Sequence, residues 1–223
     1  MFIQALIHEN RLDRFDFKRW LFFPGMLFGS RSSWWGAGRP RPFSHEGLDL
    51  CFFEAKDRMR FRFDPSIRIP AAADGRIVSI MDDLLGKTIV CDHGRRLGTS
   101  TPMVMLYAHV LPEKALRPGD AVDQGACIAR IAPADPEKNG LPPHLHLSAV
   151  KRDALPHSFD WPYLNRLDRS AFVDPARVAG LAAEATAIIN FDPSMALYSA
   201  FSPCAGPAGP QHHPPQGISP LKA

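Results

Sequence analysis

No two cysteines in this chain of 223 residues are spaced as a CxxC pair: Cys51, Cys91, Cys127 and Cys204 stand apart. That argues against a zinc site built from cysteine. Cys91 and Cys127 fall in strand-like apolar runs and read as buried free thiols. A long apolar run is also missing. Trp20 to Phe28, after Lys18-Arg19, is broken by Pro24 and Gly25 and falls far short of the roughly 20 residues of a membrane span. As an export signal the same stretch is short and starts late. Charge is nearly balanced, 26 basic against 23 acidic residues for a net +3. With no basic run interleaved with aromatics, nucleic-acid binding is not expected. No internal repeat occurs.

What remains is the composition of an ordinary globular protein, 45% hydrophobic and 22% charged. Residues 1–20 read as an N-terminal extension that could form a short helix. Residues 29–44 read as loop, rich in Gly, Ser and Pro. From 45 to about 150 short β-branched runs alternate with Gly, Pro and Asp turns. Arg76–Ile80, Lys87–Cys91, Met103–Val110, Ala126–Ile131 and His144–Val150 are the strand candidates. Such a series predicts an all-β domain, an antiparallel sandwich or barrel. Residues 175–191 read as helix, alanine-rich from Val178 to Ile189, with Pro175 suited to the first turn and Asp174 to its cap. After Ser202 the composition shifts to Pro, Gly, Gln and His, which predicts a disordered tail. The organisation expected is therefore an extension over 1–20, one domain over 21–178, a C-terminal helix over 179–201 and a tail over 202–223.

Two histidine motifs carry the chemistry. In Pro142-Pro143-His144-Leu145-His146-Leu147 the two histidines are two apart, so in a strand they project from one face while the leucines pack behind. Upstream, His45-Glu46-Gly47-Leu48-Asp49 offers a histidine and a carboxylate. If extended, the segment puts His45, Gly47 and Asp49 on one face; if helical, His45 and Asp49 still share one. Gly47 then places no side chain between two ligands that must converge on one ion. Together the motifs offer three zinc ligands and one imidazole over, which is the recipe for metal-assisted hydrolysis. His109 ends the alternating strand Met105-Leu106-Tyr107-Ala108-His109-Val110, on the face of Tyr107, to which no role is given.

In this order the segments resemble the lysostaphin-type, LytM-like zinc endopeptidases of bacterial peptidoglycan, over roughly residues 40 to 175. His45-Glu46-Gly47-Leu48-Asp49 is similar to the family's His-x-Gly-x-Asp. Ile69 to Val78 resembles a family strand pair, and Gly86 to Gly94 a segment ending in His-Gly. Tyr107-Ala108-His109, Arg117 to Gly125, Pro143-His144-Leu145-His146 and Val173-Asp174-Pro175 follow. The resemblance implies that His45, Asp49 and His146 hold Zn²⁺ and that His109 and His144 are the catalytic imidazoles. It leaves open which of the two takes the proton. It also implies a sandwich of antiparallel sheets, a peptidoglycan peptide as substrate and a place in the cell envelope. Two features depart from the family. The glycine-rich loop after Gly125 is replaced by Cys127 to Pro142, and residues 52–66 are extra, with Arg58-Met59-Arg60-Phe61-Arg62-Phe63 reading as a hairpin of alternating charge or a substrate wall. His93 reads as structural.

Two other classes compete. A catalytically silent relative would act as an activator or scaffold for cell-wall hydrolases, yet all five His and Asp positions are present. Gly119-Asp120-x-Val122-x-x-Gly125 also resembles turns of biotinyl and lipoyl carriers, but the Met-Lys pair those domains display is missing.

Overall fold

The computed structural model describes residues 1–35, 39–134, 140–189 and 218–221. β-Structure dominates, as expected from the short β-branched runs. The described strands form two open sheets, one of nine strands and one of five, rather than a closed barrel.

The strand candidates are observed close to their expected bounds. They are β6 (Gly75–Asp82), β7 (Lys87–Gly94), β8 (Met103–Pro112), β10 (Cys127–Ile131) and β11 (Leu145–Lys151). The shorter β2 (Gly47–Leu50), β5 (Arg68–Pro70), β9 (Ala121–Val122) and β12 (Phe172–Val173) complete the larger sheet. Its central path runs β12-β11-β8-β7-β6-β9, with β2 also on β11 and β10 joining β8 to β5.

The pairing at β11 positions the site. β2 lies antiparallel to it with His146 opposite Asp49 and Ser148 opposite Gly47. β8 lies on its other side with His146 opposite Ala108. Three segments separated by up to about a hundred residues in the chain thus become neighbouring strands. β8 pairs with β11 only as far as Ala108 and with β10 from Val110 onward. His109 stands at that change of partner with φ 63, a left-handed conformation that costs a non-glycine residue about 1–2 kcal/mol.

The smaller sheet explains the extra residues. β3 (Phe52–Ala55) and β4 (Arg60–Phe63) form an antiparallel hairpin, and β1 (Phe17–Phe22) pairs with β3. Phe61 and Phe63 are buried, and Phe61 stacks on Phe53 with ring centroids 5.0 Å apart. Burial of this aromatic face, worth ~1.5–3 kcal/mol per side chain, holds the hairpin down, and it does not line the cleft described below.

Three boundaries differ from the sequence expectation. The N-terminal 20 residues are not an appendage: helix α1 (Phe2–Glu9) buries Phe2, Ile3 and Leu6, and β1 crosses residue 20. Asn10 anchors the segment by accepting from the Arg68 amide and donating to its carbonyl, both at 2.8 Å. The C-terminal helix starts as expected, Asp174 accepting from the Ala176 amide at 2.9 Å, but spans only Pro175–Ala179. Gly180 stops it by adopting φ 74, and β13 (Thr186–Ile188) pairs parallel with β1. The α-helix therefore does not continue over 180–189, where a 3₁₀ turn (Ala183–Ala185) leads into the ladder that the edge of β1 offers Thr186–Ile188; residues 190–201 of the expected helix lie outside the described residues. Of the segment expected as a tail, Ile218–Leu221 forms strand β14 beside β4; the rest lies outside the described residues. No described helix is long and apolar enough to cross a membrane.

Candidate metal centre

His45, Asp49 and His146 are buried and converge, one ligand atom from each lying within 4.8 Å of the other two. His45 Nε2 is 3.2 Å from His146 Nδ1 and 3.4 Å from Asp49 Oδ1. His146 Nδ1 is 2.8 Å from Asp49 Oδ1. Bonds of ~2.05 Å in tetrahedral geometry put ligand atoms ~3.3 Å apart, so two of the three separations already match a zinc ion's requirement.

The outward atoms of the same groups are tied down. His45 Nδ1 donates to the Leu27 carbonyl at 3.1 Å, which leaves Nε2 as the inward lone pair. His146 Nε2 meets Glu46 Oε1 at 3.1 Å and Ser148 Oγ at 3.0 Å, which leaves Nδ1 inward. Asp49 Oδ2 accepts the indole N–H of Trp34 at 2.6 Å, which leaves Oδ1 inward. Each ligand is thus oriented by a partner behind it, the arrangement metal sites use to fix tautomer and rotamer. The donor set, two imidazoles and one carboxylate with outer positions satisfied, fits zinc.

Gly47 is required by the same packing. A Cβ there would lie 2.5 Å from His146 Cε1 and from the Leu147 carbonyl oxygen, distances no real contact tolerates.

Electrostatics reflect this crowding. Burial works against charge on His146, but its bonds to Asp49 and Glu46 outweigh it and raise its pKa to about 10. Burial raises Glu46, yet the His146 hydrogen bond and the nearby imidazoles bring it down to about 2. Asp49, despite complete burial, is held well below the usual carboxylate range by His45 and His146. Burial pushes His144 down to about 3, so it is neutral near pH 7.

The remaining imidazoles stand beside the cluster. His109 and His144 pack edge to face with ring centroids 4.8 Å apart, and His109 is 5.8 Å from His146. His144 Nδ1 donates to the Pro142 carbonyl at 2.8 Å, and its ring stands edge-on to Trp34. All five histidine and aspartate positions line one cleft of about 400 Å³, with Trp35, Arg41, Leu84 and Trp161 on its walls. The two sequence motifs and the strand-end histidine are therefore brought together. His93, by contrast, is buried elsewhere against the Tyr107 hydroxyl at 3.0 Å, a structural position as expected.

Three residues of the site went unread in the sequence. Trp34 sits in the segment read as loop. Glu46 occupies the variable position of its motif. Asp83, in Asp82-Asp83-Leu84-Leu85-Gly86, carries only the signal of a turn; in the fold its Oδ1 lies 3.1 Å from His109 Nδ1.

Residues 55–156 match the model of Peptidase family M23. The matched segment includes His109, His144 and His146 and begins after His45 and Asp49, of which Asp49 lies in β2 and His45 just before it. Among solved structures, the chain is similar to lysostaphin (17% identity, TM-score 0.42, covering 72% of this chain and 51% of that one). It is similar to LytU (16% identity, TM-score 0.38, 74% and 91% covered). It is also similar to a mutant catalytic domain of the prophage-encoded M23 protein EnpA from Enterococcus faecalis (17% identity, TM-score 0.34, 60% and 88% covered). The chain thus spans about half the length of the lysostaphin chain. No curated protein is similar enough to be matched. Over residues 55–156, just under half of its length, the chain is thus similar to Peptidase family M23, and the strand that carries Asp49 pairs against that segment.

Proposed function

We propose that the chain is a zinc-dependent endopeptidase acting on peptide bonds of bacterial peptidoglycan, in the stem or the cross-bridge, within the cell envelope. The observation that carries this is the convergence of His45 Nε2, Asp49 Oδ1 and His146 Nδ1, each with its opposite atom already bonded. These three residues would hold the ion, which supplies Lewis acidity toward a carbonyl and brings the ionisation of water toward pH ~7.

The chain's own residues do the rest. The substrate peptide would lie in the cleft beside the cluster, whose lining includes Trp35 and Trp161. His144 and His109 both line the cleft beside the cluster, with a ring nitrogen each for proton transfer. One takes a proton from the attacking water, and a proton must reach the departing amine. His45 and Asp49 take no part in this step beyond holding the cluster.

The test is zinc content together with digestion of purified sacculi of known cross-link, fragments being read by mass. Near-stoichiometric zinc and new peptide ends are expected. A zinc-loaded protein that releases no ends would place it with the silent members of the family.

A further inference from the structure

Asp83 follows β6 in the turn to β7, and its side chain is only 2% exposed. Its carboxylate accepts five hydrogen bonds. Three come from the hairpin itself: the amides of Leu85 at 2.9 Å and Gly86 at 2.8 Å, and the Thr88 hydroxyl at 2.8 Å. The other two come from His109, its backbone N–H to Oδ2 at 2.8 Å and its Nδ1 to Oδ1 at 3.1 Å. A turn needs the first three. The last two reach 26 residues along the chain to an imidazole that lines the cleft.

The same carboxylate holds both the ring and the left-handed backbone of His109, the residue at which β8 changes partner. Thr88 is fixed in turn, its hydroxyl accepting from the Trp161 indole at 3.0 Å. The carboxylate is therefore immobilised on every side before it meets the imidazole.

We propose that Asp83 is the positioning residue of His109: it fixes the ring with Nδ1 protonated and Nε2 presented to the cleft, and so makes His109 the imidazole that accepts the proton of the attacking water. This rests on the hydrolase reading above. The contrast with His144 is chemical. His144 donates Nδ1–H to the neutral Pro142 carbonyl, which orients a ring but carries no charge to balance an imidazolium. A buried carboxylate does both, the logic by which an aspartate supports a general-base histidine. In the step, a water O–H bond breaks as its oxygen bonds the carbonyl carbon, and the proton goes to His109 Nε2. When the C–N bond breaks, that proton passes to the amine nitrogen, leaving a free carboxyl group, a free amine and neutral His109.

The test has a spectroscopic and a kinetic arm. The metal-free protein should show a downfield, slowly exchanging imidazole N–H that is absent from His109→Ala. In Asp83→Asn that resonance should move upfield or be lost to exchange. An Asp83 that serves only the hairpin would leave it unchanged, and that result overturns the proposal. The wild-type resonance read against His109→Ala decides the pairing even where Asp83→Asn fails to fold; its absence also overturns it. In zinc-loaded protein, Asp83→Asn should lower kcat by about 10²-fold or more, with KM within about twofold and zinc content unchanged. Added to His109→Ala it should cost nothing further; additive losses overturn the proposal. A wild type that cuts no sacculi counts against the hydrolase reading, while the resonance still reports on Asp83.

Discussion

The indole N–H of Trp34 donates to Asp49 Oδ2 at 2.6 Å, from a loop 15 residues upstream of the carboxylate it orients. Arg41 Nη2 stands 3.8 Å from the same oxygen. A bond to Oδ2 turns the other oxygen toward His45 and His146, so the loop would act on a bound ion without offering a ligand. Trp34→Phe keeps much of the packing against Phe23 and Phe52 and removes only the donor. Zinc affinity should fall about 10- to 100-fold, measured by competition with a chelator. Unchanged affinity would show that the packed ring, not the N–H, is what matters.

Gly47 and His146 should behave alike although one of them has no side chain. His146→Ala removes a ligand; Gly47→Ala drives a Cβ to 2.6 Å from His146 Nε2 and displaces the ring. Both variants should lose zinc on gel filtration. His109→Ala should keep zinc and lose turnover, because His109 binds Asp83 rather than the cluster. Equal zinc loss across all three variants would contradict this division.

Zinc binding should release a proton. In metal-free protein His146 has its pKa raised to about 10 from an ordinary 6.5. A raised histidine stabilises the fold fully below about 6.5 and loses that contribution as pH climbs through about 10. Zinc needs the deprotonated ring, so between those values its apparent affinity should rise about tenfold per pH unit. Calorimetry in buffers of different ionisation enthalpy should show about one proton released per ion near pH 7. Heat independent of the buffer would show that the ring is already neutral.

His109 stores backbone strain, so removing its ring in two ways should give two stabilities. Glycine tolerates φ 63 and alanine does not. His109→Gly should be more stable than His109→Ala by about 1 kcal/mol, with both inactive on sacculi. Equal denaturant midpoints would mean that β8 relaxes once the imidazole is gone.

Much of this arrangement is legible from local pattern. Strand parity puts His144 and His146 on one face; β11 begins at Leu145, one residue after His144, and both imidazoles line the cleft. Gly47 is readable for the same reason, since a residue midway between two converging groups must be small. The β-branched runs give β6, β7, β8, β10 and β11 within a few residues because each carries its own period. The C-terminal stretch misleads for an equally physical reason. Alanine favours helix locally, but Gly180 ends the turn and Thr186–Ile188 gain a ladder from Trp20–Phe22, far upstream.

Side-chain identity and spacing along the chain determined which donor groups are on offer, the face each motif presents and the all-β class, because periodicity and donor chemistry are local properties. Only the three-dimensional packing decided that Trp34 braces Asp49, that Glu46 and Ser148 fix His146, and that Asp83 claims His109. Those bonds join groups brought close by strand order, and no local propensity encodes which loop will end beside which ring.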